Sequence, residues 1–456
     1  MNTLRVRALP ISVTLVLILL PLTYVAVLFR SNSIDALILW TNQLSYWNSY
    51  NQMSTLMGNG AIESMQRLVR GRGRIELETT GFSCNSSSLH SDICVSTDLV
   101  IIDMHSRTVY IPQKQSLPPI NWTVQPYARK GDKAALSNVA KVEIIRDIKN
   151  KPPPPCDDFH NVPAVVFSSG GYRGNFFHEI NDVMIPLFLT TRHFQSQVQL
   201  VATDYKEHWD SKYHQILTSL SNYKVINPAE DEKVHCFPGG AIGLVYHGDL
   251  TCNTSGIPGG YSVNDFRRFL RDSFNLKIKN VTEIEKPVLI LISRRRARAL
   301  LNEKEILGLA TELGFKAITT TPERMSNLSR FSDEINSCSV LLGVHGAGLT
   351  NALFLPDGAV MLQVVPLGLE WASATYYGSK VVGKMNVRYL EYKIIPEESS
   401  LLEKYGRDSP VINDPATIGK QGYAVSSKIY LRGQNVTLDI SRFRKTLLQA
   451  LELLRR

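Results

Sequence analysis

Between Pro287 and Ile394 the chain alternates short apolar runs with amphipathic ones, and that alternation restricts the possible folds more than any other feature. "PVLILIS" (287–293), "FKAITT", "VLLGV", "AVMLQVV" and "VRYLEYKI" read as strands, separated by helices over 302–313, 326–338, from Leu349 and over 371–382. An earlier series has the same form: a strand at 163–169, a helix over 175–194 that Pro186 kinks or ends in part, and a strand at 198–205. Strand–helix–strand alternation implies right-handed crossovers and parallel sheets. Two such α/β lobes facing each other would enclose a cleft.

The ends set the compartment. Ala8 to Phe29 contains no charged residue, enough to cross a hydrocarbon core that needs ~20 helical residues. Arg5 and Arg7 precede the run, favouring a cytosolic tail (1–7), a transmembrane signal anchor (8–29) and a lumenal remainder. A cleaved signal peptide is the rival reading, but its apolar region would be shorter and end in a small-residue cleavage site. Asn-x-Ser/Thr acceptors at Asn85, Asn121, Asn253, Asn280, Asn327 and Asn435 fit a lumenal, glycosylated protein.

Residues 30–75, rich in Asn, Ser and Gln without a sustained period, read as a stem with weak helical pieces. The roughly 380 residues that follow exceed one ordinary core, so two lobes are expected. We assign 76–285 to an N-terminal lobe, 286–395 to a C-terminal lobe and 396–456 to an extension. The extension ends in an amphipathic helix over 439–456 that packs back on the lobes through Ile440, Phe443, Leu447, Leu451 and Leu454. "KPPPP" (151–155) is a rigid surface connector. In an oxidising compartment Cys84–Cys94 and Cys236–Cys252 are the locally plausible bridges, each closing a short loop, while Cys338 reads as a buried thiol. The net charge of +9 is spread along the chain; nucleic acid is not expected in a lumen, and anionic sugar nucleotides or acidic polysaccharides fit better.

Ligands of open α/β sheets sit beyond the carboxyl ends of the strands. Three stretches have the required strand–loop–helix form. In "GVHGAGLTN" (343–351), His345, Gly346, Ala347 and Gly348 bring backbone amides and a helix N-terminus to a phosphate, unless the glycines serve packing alone. In "ISRRRARALLNE", Arg294 ends a buried strand and can pair with phosphate oxygens; Arg295, Arg296 and Arg298 read as solvated. Asn302 and Glu303 cap the next helix unless the donor reaches them. In "SSGGYRGNFFHEIND" (168–182), Gly170, Gly171 and Gly174 turn the chain into a helix capped by Asn175, with His178 and Asp182 one turn apart on one face. Asp182 can fix the imidazole tautomer, leaving the outer nitrogen to deprotonate an acceptor hydroxyl; the competing reading is a pair that only holds the lobe together. The chain has no Asp-x-Asp and offers no third ligand near this pair for zinc, so no metal or cofactor is expected and cationic groups must face the diphosphate.

Together these three stretches resemble glycosyltransferase family 61, from about residue 160 to the C-terminus. "PLGLEWASATYYG" (366–378), "YKIIPEESSLLEKY" (392–405) and "IYLRGQNVTLDISRFRK" (429–445) resemble its plant branch of xylan arabinofuranosyl- and xylosyltransferases. The resemblance implies a GT-B fold of two facing Rossmann-like lobes in a single-pass type II Golgi membrane protein. It implies an inverting, metal-independent transferase moving a pentose from UDP-arabinofuranose or UDP-xylose to xylan, alone or in complex with other xylan-synthesis enzymes. It also favours His178 and Asp182 as catalytic, and places Arg173 where acceptor choice could be set. Tyr172, Trp371, Tyr376 and Tyr377 are candidates for stacking on sugar rings. The alternatives are a β-1,2-xylosyltransferase of the N-glycan core and, in another class, a non-catalytic Golgi polysaccharide-binding or scaffold subunit.

Overall fold

A computed structural model describes residues 58–455 apart from 87, 89, 112–118, 147–150, 247 and 253. The expected tail, the membrane anchor, most of the stem and the Asn253 acceptor lie outside the described residues. Among those described, no helix is long and apolar enough to cross a membrane.

Three sheets organise the chain. The third is the one the alternation demands: five parallel strands in the order Lys316–Thr320, Val288–Ile292, Val340–Val344, Val360–Val365, Arg388–Lys393. Its central strands are apolar on both faces because both are covered. Leu289, Leu291, Leu342 and Leu362 point into a core closed by the C-terminal helix Ile440–Arg455, which buries Phe443, Leu447 and Ala450. Ile290, Ile292, Leu341 and Met361 face the larger core shared with the preceding part of the chain.

That preceding part is less regular than a pair of βαβ units. A five-stranded sheet runs Phe82–Asn85, Ile93–Ser96, Gly240–Gly243, Ala164–Phe167, Gln199–Ala202, with only its last two pairings parallel. A mostly antiparallel six-stranded sheet lies beside it, and Phe82, Val100, Val109, Ile144, Val166 and Phe237 form the core between them. The short strands between residues 82 and 145 lack a clean period, which is why strand–helix alternation did not reveal them.

Two expectations fail in this region. From Asn59 on, the helical pieces expected of the stem are present, but they do not stand apart from the lobes: helices Asn59–Arg67 and Arg72–Thr80 bury Met65 and Leu77, with Leu68 and Val69 between them, in the main core. The second disulfide joins Cys156 to Cys236, while Cys252 is a buried free thiol that burial pushes up to about 12. Strand Val234–Phe237 runs parallel to Asp158–Phe159, which brings the two Cα atoms to 5.9 Å; nearness in sequence was the wrong guide. Cys84–Cys94 forms as expected, across paired strands, and Cys338 is buried and free.

Candidate active site

The parallel sheet has strand order 2-1-3-4-5, so the chain reverses direction across the sheet between Val288–Ile292 and Val340–Val344. Crevices form at such a switch point because the two outgoing loops diverge. Arg294 leaves the first of these strands and His345–Gly346 the second. Both border a cavity of about 550 Å³, together with Arg298, His178 and Asn175. The last two follow strand Ala164–Phe167, so loops from the carboxyl ends of two sheets meet at one cavity.

On the phosphate-like side, Gly346 has φ +153°, and a Cβ there would lie 2.7 Å from Arg294 Nη1 and 2.9 Å from Arg298 Nη1. Glycine is needed for two guanidinium groups to close on the backbone that opens the 3₁₀ helix Ala347–Phe354. Arg294 donates Nε–H to the Ala297 carbonyl at 2.9 Å; Arg298 donates to Leu431 O at 3.0 Å and His345 O at 2.6 Å. Neither has a carboxylate partner among the described residues. Burial lowers Arg294, and burial with the neighbouring Arg294 charge lowers Arg298 to about 10. Two adjacent, partly desolvated cations raise each other's energy, and an anion bound between them would relieve it. His345 is buried, and burial with the Arg298 charge brings it down to about 3, so its imidazole is neutral.

Arg298 thus departs from its expected solvated role, whereas Arg295 and Arg296 are exposed. Asn302 and Glu303 do not line the cavity. Asn302 is clamped to Leu438 in both directions, 2.9 and 3.0 Å, and ties this loop to the C-terminal extension; Glu303 opens helix Glu303–Glu312. Gly348 packs under Ile292 and is likewise off the cavity lining.

On the other side, Asn175 caps Phe176–His178, and the helix then widens into a π turn, Glu179–Met184, before resuming at Ile185–Thr191. In a regular α-helix the Pro186 ring would collide with the Asp182 carbonyl; the wider turn avoids this without ending the helix. His178 Nδ1 lies 2.8 Å from Asp182 Oδ2. The fully buried carboxylate also accepts from Arg129 Nε at 2.8 Å, Tyr127 Oη at 3.0 Å and Asn181 Nδ2 at 2.8 Å. Burial alone would raise Asp182; the His178 hydrogen bond and the Arg129 charge outweigh it and hold the carboxyl below its usual range. Tyr127 reaches this point because Gly171, at φ +59°, has no Cβ; one would sit 2.2 Å from the Tyr127 ring.

Tyr172 lies against His178 at 4.4 Å between ring centroids, with its hydroxyl on Asp132. Arg173 turns away to Ser169 O at 3.0 Å and the Asp204 carboxylate at 3.7 Å, which fastens the glycine turn to the strand end; it does not line the cavity. Trp371 does line it, as do Tyr376 and Tyr377. Five lining residues, Tyr423, Ser426, Ser427, Leu431 and Arg432, come from the extension, and the first three carry no sequence signal that marked them. Arg129 was also missed: "YARKGD" is an ordinary basic loop until the fold sets it on Asp182.

No carboxylate is found among the described lining residues. The described group with metal-ligand spacing, Asp158, Asp231 and His235, lies elsewhere, and Lys233 already pairs with Asp158 at 3.0 Å. Asn121, Asn280 and Asn327 are exposed and Asn85 partly so; Asn435 accepts from the Ala299 amide at 3.1 Å through its side chain.

The model of glycosyltransferase 61 matches residues 176–362, which include both sides of the cavity. A xylan glycosyltransferase of Arabidopsis thaliana is 34% identical over 391 residues, covering 81% of this chain and 78% of the relative. The chain belongs to glycosyltransferase family 61. A beta-1,2-xylosyltransferase of Oryza sativa subsp. japonica is 40% identical over 341 residues, 73% of this chain and 72% of the relative. An alpha-1,3-arabinosyltransferase of the same organism is 38% identical over 376 residues, 81% of this chain and 65% of the relative. The chain therefore spans just under two thirds of the arabinosyltransferase's length.

Proposed function

We infer that the protein is an inverting pentosyltransferase that moves arabinofuranose or xylose from a UDP-sugar to the xylan backbone of hemicellulose, without a metal. The observation that carries this reading is the pairing, in one cavity, of a carboxylate-oriented histidine with two arginines that have no carboxylate partner among the described residues. Asp182 accepts the Nδ1 proton of His178 and leaves Nε2 as the base. An acceptor hydroxyl gives its proton to Nε2 as its oxygen attacks the anomeric carbon from the face opposite UDP. The bond to the diphosphate breaks in the same step, and Arg294, Arg298 and the Gly346–Ala347 backbone take up the charge on the leaving group. Asp182 does not serve as the base, since three donors other than His178 occupy its oxygens in a buried setting.

The pentose and the xylan acceptor rest on what the plant relatives are named for, and the paired sheets support a two-lobed GT-B architecture. The uncharged run before Arg30 and the exposed acceptor asparagines support a type II Golgi protein with this cavity in the lumen. The test is to incubate the purified protein with a panel of UDP-sugars and xylo-oligosaccharides and to read products by mass and linkage. Transfer of a pentose with inverted configuration is the expected result. Transfer to N-glycans alone, or to no acceptor at all, would refute it.

A further inference from the structure

The two large apolar side chains most exposed in the described structure, Trp371 at 74% and Tyr423 at 76%, both stand on the wall of this cavity. Leaving rings of this size in water forgoes their burial, and neither is needed to seat its own segment. Helix Glu370–Tyr377 is anchored by buried Ser373 and Tyr377, and Tyr423 opens a short turn with no buried residue.

The position of Trp371 says more. Its ring meets Tyr376 edge-on at 6.3 Å, Tyr376 meets Phe177 edge-on at 5.2 Å, and Phe177 meets His178 at 5.1 Å. A continuous aromatic run leads from the base out to solvent. The group that must touch the base is the acceptor hydroxyl, so whatever continues outward from it along these rings belongs to the acceptor.

We propose that Trp371 and Tyr423 form a stacking platform for a polymeric acceptor, holding pyranose rings that flank the unit placed at His178. Pyranoses linked equatorially expose flat C–H faces that match the face of an indole or phenol. A polymer must lie across the protein and leave at both ends, so its platform has to be open, whereas a nucleobase is normally enclosed on both faces. This deepens the reading given above and depends on it for the identity of the polymer.

Calorimetry of the purified protein with xylohexaose, xylobiose, cellohexaose and UDP, on Trp371→Ala, Tyr423→Ala and Trp371→Phe, tests the platform. The expected result is a roughly tenfold weaker xylohexaose Kd for each alanine variant, little change for xylobiose or UDP, and recovery with Trp371→Phe. Weakened UDP binding in Trp371→Ala would assign the ring to the nucleobase and overturn the proposal, as would unchanged hexaose binding in both alanine variants. If wild type prefers cellohexaose and loses it on the same substitutions, the platform stands and the xylan reading fails.

Discussion

Arg129 donates through Nε, at 2.8 Å, to the same oxygen of Asp182 that faces His178 Nδ1, although 53 residues separate the two in sequence. The carboxylate is therefore shared between a permanent cation and an imidazole, and its hold on His178 depends on a residue that never enters the cavity lining.

Removing the base should reveal its role directly. His178→Ala should lose ~10²–10⁴-fold in turnover while UDP affinity and melting temperature stay near wild type, since the donor contacts lie on other loops. The double variant with Asp182→Asn should be little worse than the worse single, as for groups acting as a unit. A well-folded His178→Ala protein with normal turnover would remove the base from the mechanism.

Arg129→Ala separates positioning from support. Without Arg129, Asp182 loses the cation that fixes its Oδ2 beside His178 Nδ1, and the imidazole is held less firmly. The kcat should fall more than the KM for donor rises, since the donor contacts lie on other loops. Arg129→Lys should restore kcat in part, because it keeps the charge and loses the planar fork. An unchanged kcat in a folded Arg129→Ala variant would make Arg129 purely structural.

The diphosphate site predicts unequal arginines. Arg294→Ala and Arg298→Ala should each weaken UDP binding about ten- to a hundredfold, the range of one or two charge-assisted hydrogen bonds. Exposed Arg296→Ala is the control and should be neutral. Gly346→Ala should be as damaging as either, because its methyl would occupy the space of both guanidiniums. Calorimetry with UDP checks all four.

Chelation should leave activity intact, since two guanidiniums and a backbone turn face the diphosphate in a cavity whose described lining has no carboxylate. Turnover lost in EDTA and restored by Mn²⁺ alone would contradict this.

Acid stability follows from Asp182. Its folded carboxyl is depressed below the unfolded value of about 3.9, so the unfolded chain binds the extra proton. The stabilisation is complete above that value and is lost as pH falls through the lower folded one. Asp182→Asn should flatten this part of the curve in pH-dependent thermal melts. It should also cost about 3 kcal/mol near neutrality, because Arg129 keeps its charge with only Asp249 left, at 3.5 Å.

The sequence by itself determined the parallel sheet from Val288 to Lys393, because strands buried on both faces must be continuously apolar and their crossovers must be amphipathic. It also determined the His178–Asp182 pair and the Gly346 turn, since helical spacing and backbone freedom are local properties. The tertiary structure alone decided what surrounds them. Arg129 on Asp182, Arg294 and Arg298 on Gly346, Tyr423 on the cavity wall and Cys156 against Cys236 all join segments far apart in the chain. Residues such as these carry no periodic or local signal, because their partners are fixed by how sheets and loops pack and not by the residues next to them.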